Sequence, residues 1–236
     1  MRSTKNGFWV RMKMRNLSPS GIRVINMAPK IVPWITEQCR RANLDAGGFG
    51  SDIYAAADAG DITHDEAALL VRSLLSAGID TTVTAIGSAL WALAGNPAQF
   101  ERLRSDPTLA RNAFEETLRL TSPVHSFCRT AASATSVSGV ELEEGTKILC
   151  VLGAANLDPD KWKDPDQFDI SRRMGGHLAF GVGIHACVGQ NIARAEGEAL
   201  LTAIARKVRN LVPAGEAVWR PNNAVHALDR LPLRFH

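Results

Sequence analysis

The sequence predicts a mainly α-helical fold with a minor antiparallel β-sheet, on three observations. The stretch from Thr63 to about Gly95 sets apolar residues at Leu70, Leu74, Leu75, Ile86, Leu90 and Leu93, at helical rather than strand intervals. "DPTLARNAFEETLRLTSP" reads as an amphipathic helix stopped by Pro123. Beyond that proline, short and loosely alternating runs lie between glycines, the texture of strands and turns.

Taken in order, residues 1–33 are basic, lack sustained periodicity and are broken by Gly7, Pro19, Gly21, Pro29 and Pro33. They read as a poorly ordered leader, with residues 34–236 as the folded region. "WITEQCRRANL" is expected to be one short helix closed by Gly47 and Gly48, and "SDIYAAADAG" a second with Gly60 as its stop. Thr63 and Glu66 have the spacing of a capping box and open the long helix. Pro97 starts another helix, because proline fits a first helical position. "FCRTAASATSVSGVELEEG" turns at Gly139 and Gly145, and "TKILCVL" is a short apolar strand. "NLDPDKWKDPDQFDISRRMGG" is a long polar loop, a length that usually carries function. A last helix spans Gly189 to Val208, and "AVWRPNNAVHALDRLPLRFH" closes the chain as hairpin-like strands.

Composition narrows the setting. With 45% hydrophobic and 22% charged residues, the chain has the balance of a soluble globular protein with a real core. A formal charge of +3 gives no footprint for nucleic acid. The cysteines at 39, 128, 150 and 187 form no C-x-x-C pair and no small disulfide framework, which points to a reducing compartment. No uninterrupted apolar run is long enough to span a bilayer, and the basic N-terminus lacks an apolar signal core. The expectation is a cytoplasmic protein without a nucleic-acid or membrane partner.

The densest chemistry lies in "FGVGIHACVG", residues 180–189. Gly181, Gly183 and Ala186 imitate a dinucleotide fingerprint, but that fingerprint needs a buried strand before it and an acidic residue ending a second strand after it. Polar "RRMGGHLA" precedes and a helix then a hairpin follow, so the nucleotide reading fails. Cys187 sits just before a long helix, where backbone N–H groups and the helix dipole favour a thiolate. Glycines at 181, 183 and 189 let the backbone pass close to something large and flat. A lone thiolate makes a poor zinc site but a sufficient proximal ligand for haem iron. From these residues alone two readings stay open, an iron ligand and a buried inert cysteine.

The stretch resembles the haem-binding loop of the cytochrome P-450 family, F-x-x-G-x-H/R-x-C-x-G, with Phe180, Gly183, His185, Cys187 and Gly189 at the defining positions. Two further motifs stand in the family's order. "EETLR" holds Glu116 and Arg119 in the E-x-x-R arrangement, one helical turn apart. "AGIDTT", Ala77 to Thr82, puts Asp and Thr mid-helix against their propensity, with Ser73, Ala77 and Thr81 on one small, polar face. The resemblance implies a partial cytochrome P-450 fold, haem b with an axial thiolate from Cys187, and monooxygenase chemistry on a small organic substrate with O₂. It implies that Asp80 and Thr81 deliver protons. Phe180, Gly181, His185, Arg129 and Ala77 would lie against the cofactor, the first two in the ligand loop and Ala77 on the helix that covers it. His185 and Arg129 would be the propionate partners. Glu116 and Arg119 would act as a structural brace, and His177 and the remaining histidines take no role.

Electrons would come from NAD(P)H through a reductase and a ferredoxin-type partner. The run "LLVRSLLSAGIDTT" with "SPVHSFCRT" is similar to members that oxidise para-substituted benzoates. It implies an aromatic acid, with Arg72 and Ser73 near its carboxylate and Phe127 as a pocket wall. Two departures stand out. Gln167 occupies the place where the family supplies an Arg to the brace, so the brace is expected to lack one charge. The resemblance covers Trp34–His236, the C-terminal part of the family's domain, without the helices that come first. That leads to an expectation of weak haem retention and little turnover, and to an alternative reading as a truncated, non-enzymatic fragment.

Overall fold

The structure is a computed structural model that describes residues 33–222 and 224–236. The leader expected over residues 1–33 therefore lies outside the described residues, Pro33 apart. The chain divides into two compact units, one ending at Leu74 and one running from Leu75 to His236.

In the first unit, residues 33–38 are helical (α1), a 3₁₀ turn spans Arg41–Asn43, and α2 spans Phe49–Asp58. The single helix expected over "WITEQCRRANL" is thus interrupted. Arg40 takes an extended conformation between the two pieces, while Cys39 turns inward and is buried. Gly60, at φ +85°, follows the end of α2 in a conformation that suits glycine. The capping box forms: Thr63 N–H donates to Glu66 at 2.8 Å and Glu66 N–H to the Thr63 hydroxyl at 3.2 Å. It opens α3, His64–Gly95, whose first turns pack Ala67 and Val71 with Cys39, Tyr54 and Ala57.

α3 differs from expectation in one respect. By length and composition alone it passes the test for a membrane span, with a mean hydropathy of 1.3 over its most apolar 18 residues, a test that a lone apolar helix of a globular protein also passes. Charged Arg72 and Asp80 and the scattered Ser and Thr break its literal apolar runs, while the leucines, valines and isoleucines between them keep the average of that stretch high.

The second unit continues with α4 (Pro97–Ser105), a 3₁₀ turn (Pro107–Leu109) and α5 (Ala110–Thr121). Among the described residues its β structure is four two-stranded antiparallel ribbons. β1 (Ser126–Thr130) pairs with β4 (Lys147–Val151), Cys128 opposite Leu149. β2 (Thr135–Val137) and β3 (Val140–Leu142) flank Ser138 and Gly139, both at positive φ, as a tight hairpin turn requires. After β4 comes α6 (Leu152–Asn156), a short helix that the strand-like run "TKILCVL" did not reveal. Residues 157–182 form the expected long loop without a regular element. α7 spans Gln190–Lys207. Of the closing strands, β6 (Val218–Trp219) and β7 (Leu228–Arg230) pair as expected. β8 (Leu233–Phe235) instead returns to β5 (Leu211–Pro213), a strand the sequence reading passed over.

The core of this unit gathers Leu93, Leu103, Phe114, Leu118, Ile170 and Leu201. At the crossing of α5 and α7, a Cβ on Gly197 would fall within 2.5 Å of Phe114 Cγ. Glycine there brings the two backbones together, and with them the helix of "EETLR" and the helix behind Cys187.

Candidate functional site

The site is built on residues 180–189. Gly181 and Gly183 have φ of +68° and +67°, and a Cβ on Gly181 would lie 3.3 Å from the His185 carbonyl oxygen. Those positions require glycine, and they fold the loop back so that Cys187 N–H donates to the Phe180 carbonyl at 2.8 Å. Gly183–His185 form a 3₁₀ turn, and α7 begins three residues after the cysteine. The Cys187 thiol is exposed, close to the helix N-terminus whose amides favour negative charge.

The side chains around it are the wrong kind for water. Val182, Ile184 and Val188, its neighbours in the loop, are 66%, 97% and 82% exposed; elsewhere in the unit Ile79 and Val83 on α3 are likewise 60% and 63% exposed. Apolar side chains turned outward beside an accessible thiol fit a large, flat, mostly apolar group bound through one sulfur, as haem is. The buried, inert cysteine is excluded by the thiol's exposure.

The other expected residues fall as follows. The Thr81 hydroxyl donates to the Ala77 carbonyl at 2.8 Å, and the Ser73 hydroxyl to the Leu69 carbonyl at 2.8 Å. α3 runs unbroken through Gly78, Ile79 and Asp80, and Asp80 is exposed. Arg72 is exposed in the first unit, beside Cys39, Asp65 and Leu69 on an open depression of about 270 Å³. Arg129 lies exposed on β1, its guanidinium 5.6 Å over the Phe127 ring and donating to the Cys128 carbonyl at 3.1 Å. His185 is exposed on the 3₁₀ turn of the loop.

Glu116 and Arg119 are fully buried and joined twice, at 2.8 and 2.9 Å. The expectation that this brace lacks a charge is corrected. Arg172 supplies it, with Nε 3.1 Å from Glu116 Oε1. Gln167 takes part only through its backbone carbonyl, which accepts from Arg119 and Arg172. Gln167, beside Phe168, holds the place expected of the cation, but the long loop turns back and brings the first Arg of "DISRR" to Glu116.

Asn156 was also missed. It is buried, its carbonyl accepts from Arg119 at 2.9 Å, and its side-chain oxygen accepts from Leu178 N–H at 2.6 Å. The brace is thereby tied to the approach of the cysteine loop. A third unread group, Glu115 with His177 and Arg194, borders an open depression of about 570 Å³ between α5 and the start of α7. A lone Asn or His among polar neighbours carries no local signature, so nothing in the sequence marked these residues.

The family described as Cytochrome P450 matches residues 35–233. Cytochrome p450 CYP199A2 of Rhodopseudomonas palustris is 52% identical over 202 residues, covering 86% of this chain and 49% of that protein. The 6-deoxyerythronolide B hydroxylase of Saccharopolyspora erythraea is 36% identical, covering 75% of this chain and 45% of its own. Among solved structures, the tirandamycin C-bound P450 monooxygenase TamI superposes with a TM-score of 0.84 at 28% identity, over 93% of this chain and 56% of that one. P450BioI, solved in complex with an acyl carrier protein bearing hexadec-9Z-enoic acid, superposes at 0.77 with 32% identity, covering 92% and 55%. The chain spans about half the length of the relatives it matches.

Proposed function

The chain belongs to the cytochrome P450 family, and from that premise we propose that it serves as a haem-thiolate monooxygenase, inserting one atom of O₂ into a small organic substrate. The observation that carries the reading is the exposed Cys187 thiol on its glycine-folded loop ahead of α7, flanked by outward-turned Val182, Ile184 and Val188. Cys187 would hold the iron of haem b. His185 and Arg129 would meet its propionates, and Ala77, Phe180 and Gly181 would lie against the macrocycle. When bound, haem supplies oxygen activation, with the thiolate pushing electron density that favours O–O cleavage.

The chain's own residues supply the rest. Cys187 would bind through its sulfur, which stands exposed just ahead of α7. The Thr81 hydroxyl, bonded internally to the Ala77 carbonyl, lies one turn from the carbonyl it uses and rotates about χ1 to orient a proton donor instead. Asp80, exposed beside it, takes protons from water and passes them on. Ile79 and Val83 keep water from the same stretch of α3 once covered.

The finer reading is an aromatic acid as substrate, with Arg72 and Ser73 toward its carboxylate and Phe127 as a wall. It is supported by the runs around Arg72 and Phe127 and by the charge of Arg72. Electrons would come from NAD(P)H through a reductase and a ferredoxin-type donor in the cytoplasm. The test is to load the purified chain with haem, reduce it under carbon monoxide and record the Soret band. The strongly red-shifted band of thiolate ligation supports the reading, and its absence at full haem loading overturns it.

A further inference from the structure

His177 was given no role by its sequence context, yet its side chain is 5% exposed and bonded at both ring nitrogens. Nδ1 accepts from Ala179 N–H at 3.2 Å. That bond leaves the proton on Nε2, which faces Glu115 Oε2 at 2.6 Å. The other Glu115 oxygen accepts from Arg194 Nε, and Arg194 also donates to Gln190 Oε1 at 2.7 Å. Burial alone would push the Glu115 carboxyl up. The hydrogen bonds from His177 and Arg194 outweigh burial and hold it below the usual range, so it is a carboxylate.

Three segments meet in this group: α5 through Glu115, the end of the long loop through His177, and the first turns of α7 through Gln190 and Arg194. Their common target is Phe180. The Arg194 guanidinium lies 4.5 Å over its ring, and the His177 ring centroid is 6.2 Å away. The Phe180 carbonyl in turn accepts the Cys187 N–H. From the brace, Asn156 fixes Leu178 N–H, so the three residues before the cysteine loop, His177 to Ala179, are held by two separate networks.

We propose that His177 is a positioning residue for the cysteine loop: bonded to Glu115, it holds Phe180 and, through the Phe180 carbonyl, the backbone of Cys187. This deepens the haem-thiolate reading and rests on it for its chemical consequence. An iron ligand tolerates little displacement, and groups behind it commonly set its orientation. The Glu116 brace secures the approach to the loop, while the Glu115 group secures the loop itself.

The two bonds of His177 separate in two substitutions. In His177→Gln the amide nitrogen reaches Glu115, but nothing replaces Nδ1. In His177→Asn the side-chain oxygen replaces Nδ1 for Ala179, but nothing reaches Glu115. Amide hydrogen exchange over residues 178–189 is measured in the full chain without added haem, with β1–β4 as the reporter of global folding. The carbon-monoxide difference spectrum is then recorded after loading.

The Asn variant should exchange about tenfold or more faster in this segment only, the loss of a charge-assisted bond. It should also lose thiolate character in its spectrum. The Gln variant should restore both. Three results overturn the proposal: an Asn variant like the parent, rescue by Asn but not by Gln, or loss of protection in β1–β4 as well. A parent chain without a thiolate spectrum removes the functional reading, and the exchange measurement still decides the positioning role.

Discussion

Arg172 Nε and Glu116 Oε1 lie 3.1 Å apart across fifty-six residues of sequence, completing a buried anion between two arginines. Arg172 also donates to the carbonyls of Lys163, Asp164 and Gln167, so one side chain ties the long loop to α5.

Arg172→Gln should therefore lower stability by about 3 kcal/mol, because it leaves a buried carboxylate short of a partner. Gln167→Ala should change little, since only the Gln167 backbone takes part. Urea unfolding of both variants checks this, and equal losses would contradict it.

Among the four cysteines, Cys187 alone joins an exposed thiol to the positive-φ glycine loop. Cys187→Ala should abolish the thiolate-type carbon-monoxide spectrum, while Cys128→Ala and Cys150→Ala leave it intact. An unchanged spectrum in the first variant would end the haem-thiolate assignment.

Thr81→Ala removes a hydroxyl bonded only within its own helix, so folding should be little affected. Coupling should fall: more reducing equivalents consumed per product, with hydrogen peroxide as the by-product. The ratio of NAD(P)H oxidised to product formed measures it, and equal ratios would remove Thr81 from proton delivery.

Acid should destabilise the chain in two steps. Burial, and then the nearby His226, hold the His125 imidazole below its ordinary value. Hydrogen bonds hold Glu115 below its own against the opposing effect of burial. Both folded-state values are depressed, so each contribution is complete above the ordinary value and is lost as pH falls through the folded one. Urea midpoints should decline first below about pH 6.5, and again below about pH 4.3. His125→Gln should flatten the upper step and Glu115→Gln the lower. A midpoint constant from about pH 7.5 to about pH 5 would be inconsistent with the upper step, and one constant from about pH 5 to about pH 2 with the lower.

Gly197→Ala brings a methyl group to 2.5 Å from Phe114 Cγ and Cε2, well inside van der Waals contact. The overpacked crossing of α5 and α7 should lose about 1–3 kcal/mol or more, read as a lower thermal midpoint. A midpoint equal to that of the parent would mean that the helices shift apart without cost.

What the sequence made legible was local. The Thr63–Glu66 box, Pro97 and Pro123 as helix boundaries, and the glycine-folded turn before α7 all depend on neighbours within a few residues. The Glu116–Arg119 pair was legible for the same reason, at one helical turn. What was hidden depends on distant partners: Arg172 finding Glu116, Asn156 finding Leu178, and β8 returning to β5. The break at Arg40 was hidden because burying Cys39 overrides a sequence that otherwise suits a helix. The exposure of Cys187 lay between these cases. The glycines announced a turn, but only the folded chain shows the thiol standing clear beside Ile184 and Val188.

Glu115 and Glu116 are consecutive on α5, their side chains about 100° apart around the axis, and each serves a different buried network. The helix therefore has no spare register. Point changes on its outer face are tolerable, but a one-residue insertion ahead of Glu115 would carry Glu115 into the surroundings of Glu116 and Glu116 on to those of Thr117, and a deletion would shift both the other way. The same constraint governs grafting between relatives. α5, residues 156–180 and the start of α7 must be inherited as a block, because cations from one parent would face anions set for another. The β2–β3 hairpin, exposed and closed by its own turn, is the place where a foreign segment could be spliced in without disturbing that block.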